Sequence, residues 1–444
     1  MWLAPNDAKL LADRLLARSN ANHCIIRISG GDSVNLRFAR GNATTNGARS
    51  TLRVRVESHF GRRSGSASVT GLDEKALEEA VPRSEDMARS APENPELMPP
   101  LGPQAYQAGA RYDAPTAEVR ADGLAAASKP VIDEAARRNI DVAGFSVAEH
   151  GFEAMATSAG LFAYDRQTGA EFTVTARNKA GTWSGWAGVS ETRFGRLDAA
   201  RLGRRAIDKA AYTAQPVRLD PGKYTVILEP SAVSDLVGYM LWFMNARPAD
   251  EGRSFFSRTG GGNKLGEKLF RDNVTIFSDP SDPIAPEPVF GDDGLPQRRT
   301  PWVENGVLRN LVYSRYWAEL KGHAPVSPPR SFVMAGGTTS VDDMIRDTRR
   351  GVLVTRLWYI RVVDPQKLVL TGLTRDGNFL IEDGRIVGPA LNFRFNESPI
   401  AMLANVLAIG PSERTQGGES EGSAVSAPAL LVKDFSFSSP SDAI

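Results

Sequence analysis

The hydrophobic positions of this chain change period several times along its length, and each change marks a structural element. Near the start, Leu10, Leu11, Leu15 and Leu16 recur at helical spacing behind Asn6, which predicts an amphipathic helix capped by Asn6. Two strand-like stretches follow, His23 to Ser29 and Val34 to Ala39. From Thr51 to Phe60, Leu52, Val54 and Val56 face one way and Arg53, Arg55 and Glu57 the other, the period of a half-buried strand. Residues 61–65 read as a turn and Ser66 to Thr70 as the returning strand. Asp73 caps a helix that Pro82 is expected to split. Residues 90–112, rich in Pro, Ala and Gly, read as an extended connection. Thr116 to Arg138 reads as a helix interrupted by Pro130, Asp141 to Thr192 as a long β region, and Ala199 to Ala214 as a helix.

At Pro221-Gly222 the texture changes. A strand, Tyr224 to Leu228, leads into a helix over about Ser231 to Asn245 whose Val233, Leu236, Val237, Met240, Leu241, Phe243 and Met244 leave little polar surface, so it should be buried on most sides. The remainder is mainly β, with one more helix near Val341 to Arg349 capped by Ser340, a flexible Gly/Ser/Glu-rich loop from Thr415 to Ser426, and a last strand from Ala429 to Phe437. The expected class is α+β in two domains: an N-terminal α/β domain over residues 1–218 and a mainly β C-terminal domain over 219–444.

Charge narrows the function classes. The formal net charge is +1, which argues against a nucleic-acid protein held by a broad basic face. No apolar run is long enough to span a membrane. A single cysteine excludes an internal disulfide, and the start lacks the pattern of a signal peptide, so a cytoplasmic location is expected.

The candidate chemistry is sparse. His23, His59, His150 and His323 are far apart in sequence, and only His23 and Cys24 are neighbours, pointing to opposite faces of a strand. No HExxH, CxxC or HxH spacing occurs. Gly260 to Lys268 departs from a phosphate loop, since the lysine does not directly follow Gly266 and no Ser or Thr follows it; a flexible loop is the simpler reading. Asp292-Asp293-Gly294 reads as a turn, Asp342-Asp343 as a helix N-terminus, and Cys24 as a buried structural thiol. His323 sits in a loop and reads as a surface histidine, although it could serve a metal-independent site with Arg356 and Asp376. The densest polar–aromatic run supplies Arg356, Trp358, Tyr359 and Arg361, followed by Arg375; such side chains suit recognition of a peptide, or else ordinary cross-strand packing.

Several motifs taken together resemble the TldD/PmbA family, also called modulators of DNA gyrase. They are Val226-Ile227-Leu228-Glu229-Pro230, Asp292-Asp293-Gly294, Glu304-Asn305-Gly306-Val307-Leu308, the run Arg350 to Arg356, and the run Ile381 to Pro389. Gly65-Ser66-Ala67-Ser68 followed by Leu72 to Leu77 is similar to the family's early strand-to-helix passage. The resemblance implies a two-domain architecture and paired subunits. TldD-type members carry HExxxH on the helix after the strand that matches Tyr224 to Leu228, and a C-terminal cysteine completes their zinc site. Here the matching positions are Gly238, Tyr239 and Phe243, and the C-terminal half has no cysteine. The chain therefore resembles the PmbA/TldE type, the subunit lacking its own zinc. The resemblance implies a heterodimer with a TldD-type HExxxH paralogue that holds the zinc and acts on unfolded peptides or peptide precursors. Neither a nucleic-acid nor a membrane partner is expected. A free-standing peptide-binding or chaperone-like protein is the alternative.

Overall fold

The computed structural model describes residues 1–419 and 424–441. Helix α1 (Pro5–Leu16) is followed by strands β1 (His23–Ala39), β2 (Asn42–Phe60) and β3 (Arg63–Thr70) and helix α2 (Glu74–Ser90). A connection then leads to α3 (Ala114–Ala117), α4 (Ala121–Arg137), β4 (Ile140–Thr157), β5 (Phe162–Asn178), β6 (Ser184–Glu191) and α5 (Ala199–Ala210). The six strands form one antiparallel sheet in the order β3-β2-β1-β4-β5-β6. Leu52, Val54 and Val56 are buried as their alternation predicts, and so are Phe172, Val174 and Ala176.

Several local expectations are corrected. Asn6 does not cap α1: Pro5 occupies the first helical position, where its fixed φ suits the helix and its missing N–H costs nothing, and Ala4 precedes it. The buried stripe is Ala8, Ala12 and Leu15, while Leu10 is 68% exposed. The two short strands before residue 40 are one, because Gly30-Gly31 marks close strand packing and not a turn. A Cβ at Gly31 would lie 2.2 Å from the His150 carbonyl oxygen of β4. Gly65 likewise lets α2 lie down on β3, a Cβ there falling 2.2 Å from the Ala88 nitrogen. Neither Pro82 nor Pro130 ends its helix. Both rings face solvent, and burial of Leu77, Ala80, Val81 and Ala88 in α2, and of Leu124, Val131 and Ala135 in α4, offsets the lost backbone bond. The break near Thr116 falls instead between α3 and α4.

The second half begins with β7 (Gly222–Leu228), α6 (Pro230–Phe243) and α7 (Ala246–Asp250). It continues through β8 (Ile276–Ser278), β9 (Thr300–Glu304), β10 (Val307–Leu308), α8 (Arg315–Lys321), β11 (Phe332–Met334) and α9 (Val341–Arg346). The last elements are β12 (Arg350–Asp364), β13 (Val369–Glu382), β14 (Arg385–Pro389), β15 (Phe393–Glu397), α10 (Pro399–Ala404), β16 (Val406–Thr415) and β17 (Val425–Pro440). They make an eleven-stranded sheet, and the pairing of β17 with both β15 and β7 closes a ring through β13 and β12. The chain is thus α+β, with an α/β N-terminal half and a larger, β-rich C-terminal half. Among the described residues no helix is long and apolar enough to cross a membrane. The expected loop from Thr415 to Ser426 is shorter than predicted: Gln416 to Glu419 are placed against the fold, Val425 already belongs to β17, and residues 420–423 lie outside the described residues.

The two halves meet through buried charge. Lys209 of α5 donates to the Glu229 carboxylate at 2.6 Å and to the Thr355 hydroxyl of β12 at 2.8 Å. Arg205, one turn earlier, lies 3.3 Å from the same carboxylate and 3.0 Å from Glu413 of β16. Burial pushes the Lys209 ammonium down to about 8 against the pull of Glu229. Burial opposes ionisation of Glu229 too, but Arg205 and Lys209 outweigh it and hold that carboxyl below the usual range. Replacing Glu229 by Gln strands Lys209 beside Arg205, so the unfolding free energy should fall by about 3 kcal/mol in urea denaturation. Adding Lys209→Met should cost less than the two single changes summed; additive losses would mean that the pair does not act as a unit.

Candidate functional site

Helix α6 starts from Pro230 at its first position and is apolar on nearly every side, with Ala232, Val233, Leu236, Val237 and Met240 fully buried. One stripe departs from this. Asp235, Gly238, Tyr239 and Trp242, at helical spacings i, i+3, i+4 and i+7, line a cavity of about 550 Å³. Its other walls are Pro328 to Phe332, Val312, Asn245, Val425 and Glu419. This volume lies within the range of small-ligand sites.

Gly238 and Tyr239 are the positions where the resembled family's zinc-bearing members carry His and Glu. A Cβ at Gly238 would meet only Phe332, at 4.0 Å, so the place of the first histidine opens into the cavity. Gly238 and Tyr239 thus border space, although Tyr239 also packs on the core. Phe243, at the second histidine position, does pack on the core. The Tyr239 hydroxyl donates to the Ile360 carbonyl at 2.9 Å. Glycine and phenylalanine offer no side-chain donor, and the tyrosine is engaged, so this set does not fit zinc. Among the described residues no group of three or more His, Cys, Asp or Glu side chains is placed to hold a metal ion. His23 and His59, distant in sequence, stand opposite each other on β1 and β2, and the His59 ring is hydrogen-bonded to Glu57.

Asp235 is 1% exposed, and its two oxygens accept the backbone N–H groups of Gly418 and Glu419 at 2.9 and 3.0 Å. Burial pushes its carboxyl up to about 7, although these two donors pull the other way. Gly418 is a steric requirement, since a Cβ there would lie 2.7 Å from the Leu357 oxygen. Glu419 in turn accepts the Ile360 N–H at 3.0 Å, with its other oxygen 3.8 Å from Arg361. The segment 416–419 is therefore pinned between α6 and β12, beside the cavity.

The structure divides the five predicted recognition residues into two groups. Arg356, Trp358 and Arg375 form a half-buried stack. The Arg356 guanidinium lies 4.9 Å from the Trp186 ring and 5.6 Å from Trp358, with Arg375 5.4 Å from Trp358. Arg356 is bound to Asp376 at 2.6 Å. Tyr359 and Arg361 stack on each other at 4.1 Å, and Tyr359, at φ 55°, is 55% exposed. These two flank Ile360, whose N–H and C=O are taken by Glu419 and Tyr239, two residues of the cavity wall. His323 stays apart from Arg356 and Asp376, stacked on Tyr313 in an exposed loop. Sequence reasoning missed Asp235, Trp242 and Glu419. The one available signal was a polar and aromatic stripe on an otherwise apolar helix.

Residues 221–439 match the family model for the PmbA/TldA metallopeptidase C-terminal domain, and residues 115–212 match that for its central domain. Over 239 residues, 49% of this chain and 50% of the relative, the sequence is 28% identical to a protein of Methanothermobacter thermautotrophicus named metalloprotease. The match thus spans half of that relative's length. The fold superposes on TldE from Thermococcus kodakarensis with a TM-score of 0.85 at 19% identity, covering 97% of this chain and 99% of the other. A Thermotoga maritima protein, named as a candidate modulator of a DNA gyrase, gives 0.84 at 18% identity, covering 97% and 100%. At these identities the structural likeness is one of fold.

The raised Asp235 carboxyl has a measurable consequence. Between about pH 4 and about pH 7 the folded chain keeps a proton that the unfolded chain has released, so this group's contribution to stability falls as pH rises through that window and levels off above it. Asp235→Asn does not titrate, and should gain on the parent chain by up to about 4 kcal/mol from the bottom to the top of the window. Chemical denaturation of both proteins at stepped pH measures this; parallel curves would show an ordinary carboxyl.

Proposed function

The chain belongs to the TldD/PmbA metallopeptidase family, and from that premise we propose that it is the non-catalytic, peptide-binding subunit of a cytoplasmic TldD/TldE-type heterodimeric zinc metallopeptidase. The zinc and the general base belong to a TldD-type partner bearing HExxxH, and the substrates are unfolded peptides or peptide precursors. The observation that carries this reading is the α6 stripe: Gly238, Tyr239 and Phe243 offer no ligand set at the positions of the family's zinc motif, yet the cavity beside them is kept. The whole-chain likeness to a protein named TldE supports the same subunit type.

The reading divides the chain at residues 218 and 219, and gives peptide handling to the second domain. Strand β7 pairs with β12 only from Gly351 to Val354, and segment 416–419 and Tyr239 cover the edge as far as Ile360, so that side of β12 carries no strand among the described residues from Arg361 to Asp364. An extended peptide can lie along such an edge, held by backbone hydrogen bonds that tolerate many sequences. Tyr359 and Arg361, stacked on each other beside that edge, would meet it, while the stack of Arg356, Trp358 and Arg375 keeps the strand in place.

Co-expression with an HExxxH-bearing paralogue from the same genome tests the proposal. The expected result is a stable one-to-one complex that contains zinc and cleaves unfolded peptides, with neither property in this chain alone. Tight zinc binding and peptidase activity by the isolated chain would overturn it.

A further inference from the structure

The α6 cavity carries a charge imbalance that points to its occupant. Three charged residues line it: Asp235, Glu419 and Arg330. Arg330 is already neutralised, for its two terminal nitrogens bind the two Glu153 oxygens at 2.9 and 2.8 Å. Asp235 has no such partner. Among the described residues it makes no ion pair, and the guanidinium that acts on it, Arg356, is bound to Asp376. Among the described residues the one ion-pair partner of Glu419 is Arg361, at 3.8 Å, and Arg361 donates at 2.6 Å to the Ile360 carbonyl.

Asp235 is held in the cavity wall by backbone donors alone, each oxygen accepting one N–H, and each retains further acceptor capacity. A buried carboxylate without a counter-ion is costly, and burial already drives this one toward its neutral form. A cation entering the cavity would restore it.

The remaining wall suits a cation as well. Trp242 stands at the mouth 74% exposed, a large aromatic face with little packed on it, tilted against Tyr239 at 6.1 Å. Phe332 forms the opposite side. Aromatic faces attract ammonium and guanidinium groups through the ring quadrupole, and carboxylates supply the full charge.

We infer that this cavity is a subsite for a positively charged group of the bound peptide, a lysine or arginine side chain or the terminal ammonium, held between the Asp235 and Glu419 carboxylates and the faces of Trp242 and Tyr239. This rests on the peptide-binding reading above and adds a charge preference to it. The site that holds zinc in the family's catalytic members becomes, in this chain, a place for a peptide's own cation.

Three extended peptides of one sequence separate the sources of charge: Nα-acetylated with a single lysine, Nα-acetylated with norleucine in its place, and the norleucine peptide with a free amine. Fluorescence anisotropy with the full-length chain should give Kd about tenfold lower for at least one charged peptide than for the neutral one. Whichever charged peptide gains identifies the group. Asp235→Asn and Glu419→Gln should each reduce that preference, and Trp242→Ala, at an exposed position, should weaken charged peptides more than the neutral one. Equal binding of all three peptides overturns the cation subsite and leaves peptide binding standing. A preference that survives all three substitutions overturns it too. No binding by any peptide overturns both readings.

Discussion

The contact on which the rest depends is the carboxylate of Glu229. It lies at the junction of β7 and α6, and its ion-pair partners lie on α5 of the other half. Fixing this one group therefore fixes three things at once: the seam between the halves, the start of α6, and through Lys209 and Thr355 the strand β12, to which Tyr239 and Glu419 of the cavity wall are bonded. Buried ion pairs are seldom retained for stability alone, because desolvation cancels most of the attraction. Here the pair supplies direction, since a purely apolar seam would let α5 slide over the sheet, whereas a carboxylate shared by two cations has few acceptable geometries.

From that anchored start, α6 runs as a helix that is nearly all core. This explains how the cavity persists. A helix buried over most of its surface has little freedom to rotate, so the stripe of Asp235, Gly238, Tyr239 and Trp242 faces the wall at Pro328 to Phe332, and the bonds of Asp235 to segment 416–419 and of Tyr239 to Ile360 hold it there. Gly238 then keeps the middle of the stripe open. The segment 416–419 seals one flank by giving its N–H groups to Asp235 and the Glu419 carboxylate to Ile360.

The sequence made most of the architecture legible and little of the site. Strands such as β2 and β5 were readable because one face is buried and the other wet, which writes an alternation into the residue types. Punctuation was the weak signal. The strand reading stops at Ser29 before Gly30-Gly31, which serve close packing of strands, and Pro82 and Pro130 read as breaks yet ride on helices held by their buried faces. Both errors have one cause: local preference was overruled by contacts distant in the chain. The recognition residues of β12 and β13 were found from composition, whereas Asp235 and Glu419, 184 residues apart, become neighbours only through folding.

The family comparison and the geometry bear on different questions. The match to the C-terminal and central domain models fixes the family. Hydrolysis assisted by zinc needs donors converging on one point, whereas α6 presents hydrogen, phenol and phenyl at the positions of the zinc motif. Had the helix lost only its chemistry, the vacated space would be expected to fill, since a cavity in a core costs free energy in proportion to its size. Among the described residues it has not filled: a glycine borders it, a buried acid lines it without a counter-ion, and a tryptophan stands open at its mouth. Space, unbalanced charge and exposed aromatic surface each oppose stability separately. Their convergence on one side of one helix is most simply accounted for by a ligand that relieves all three.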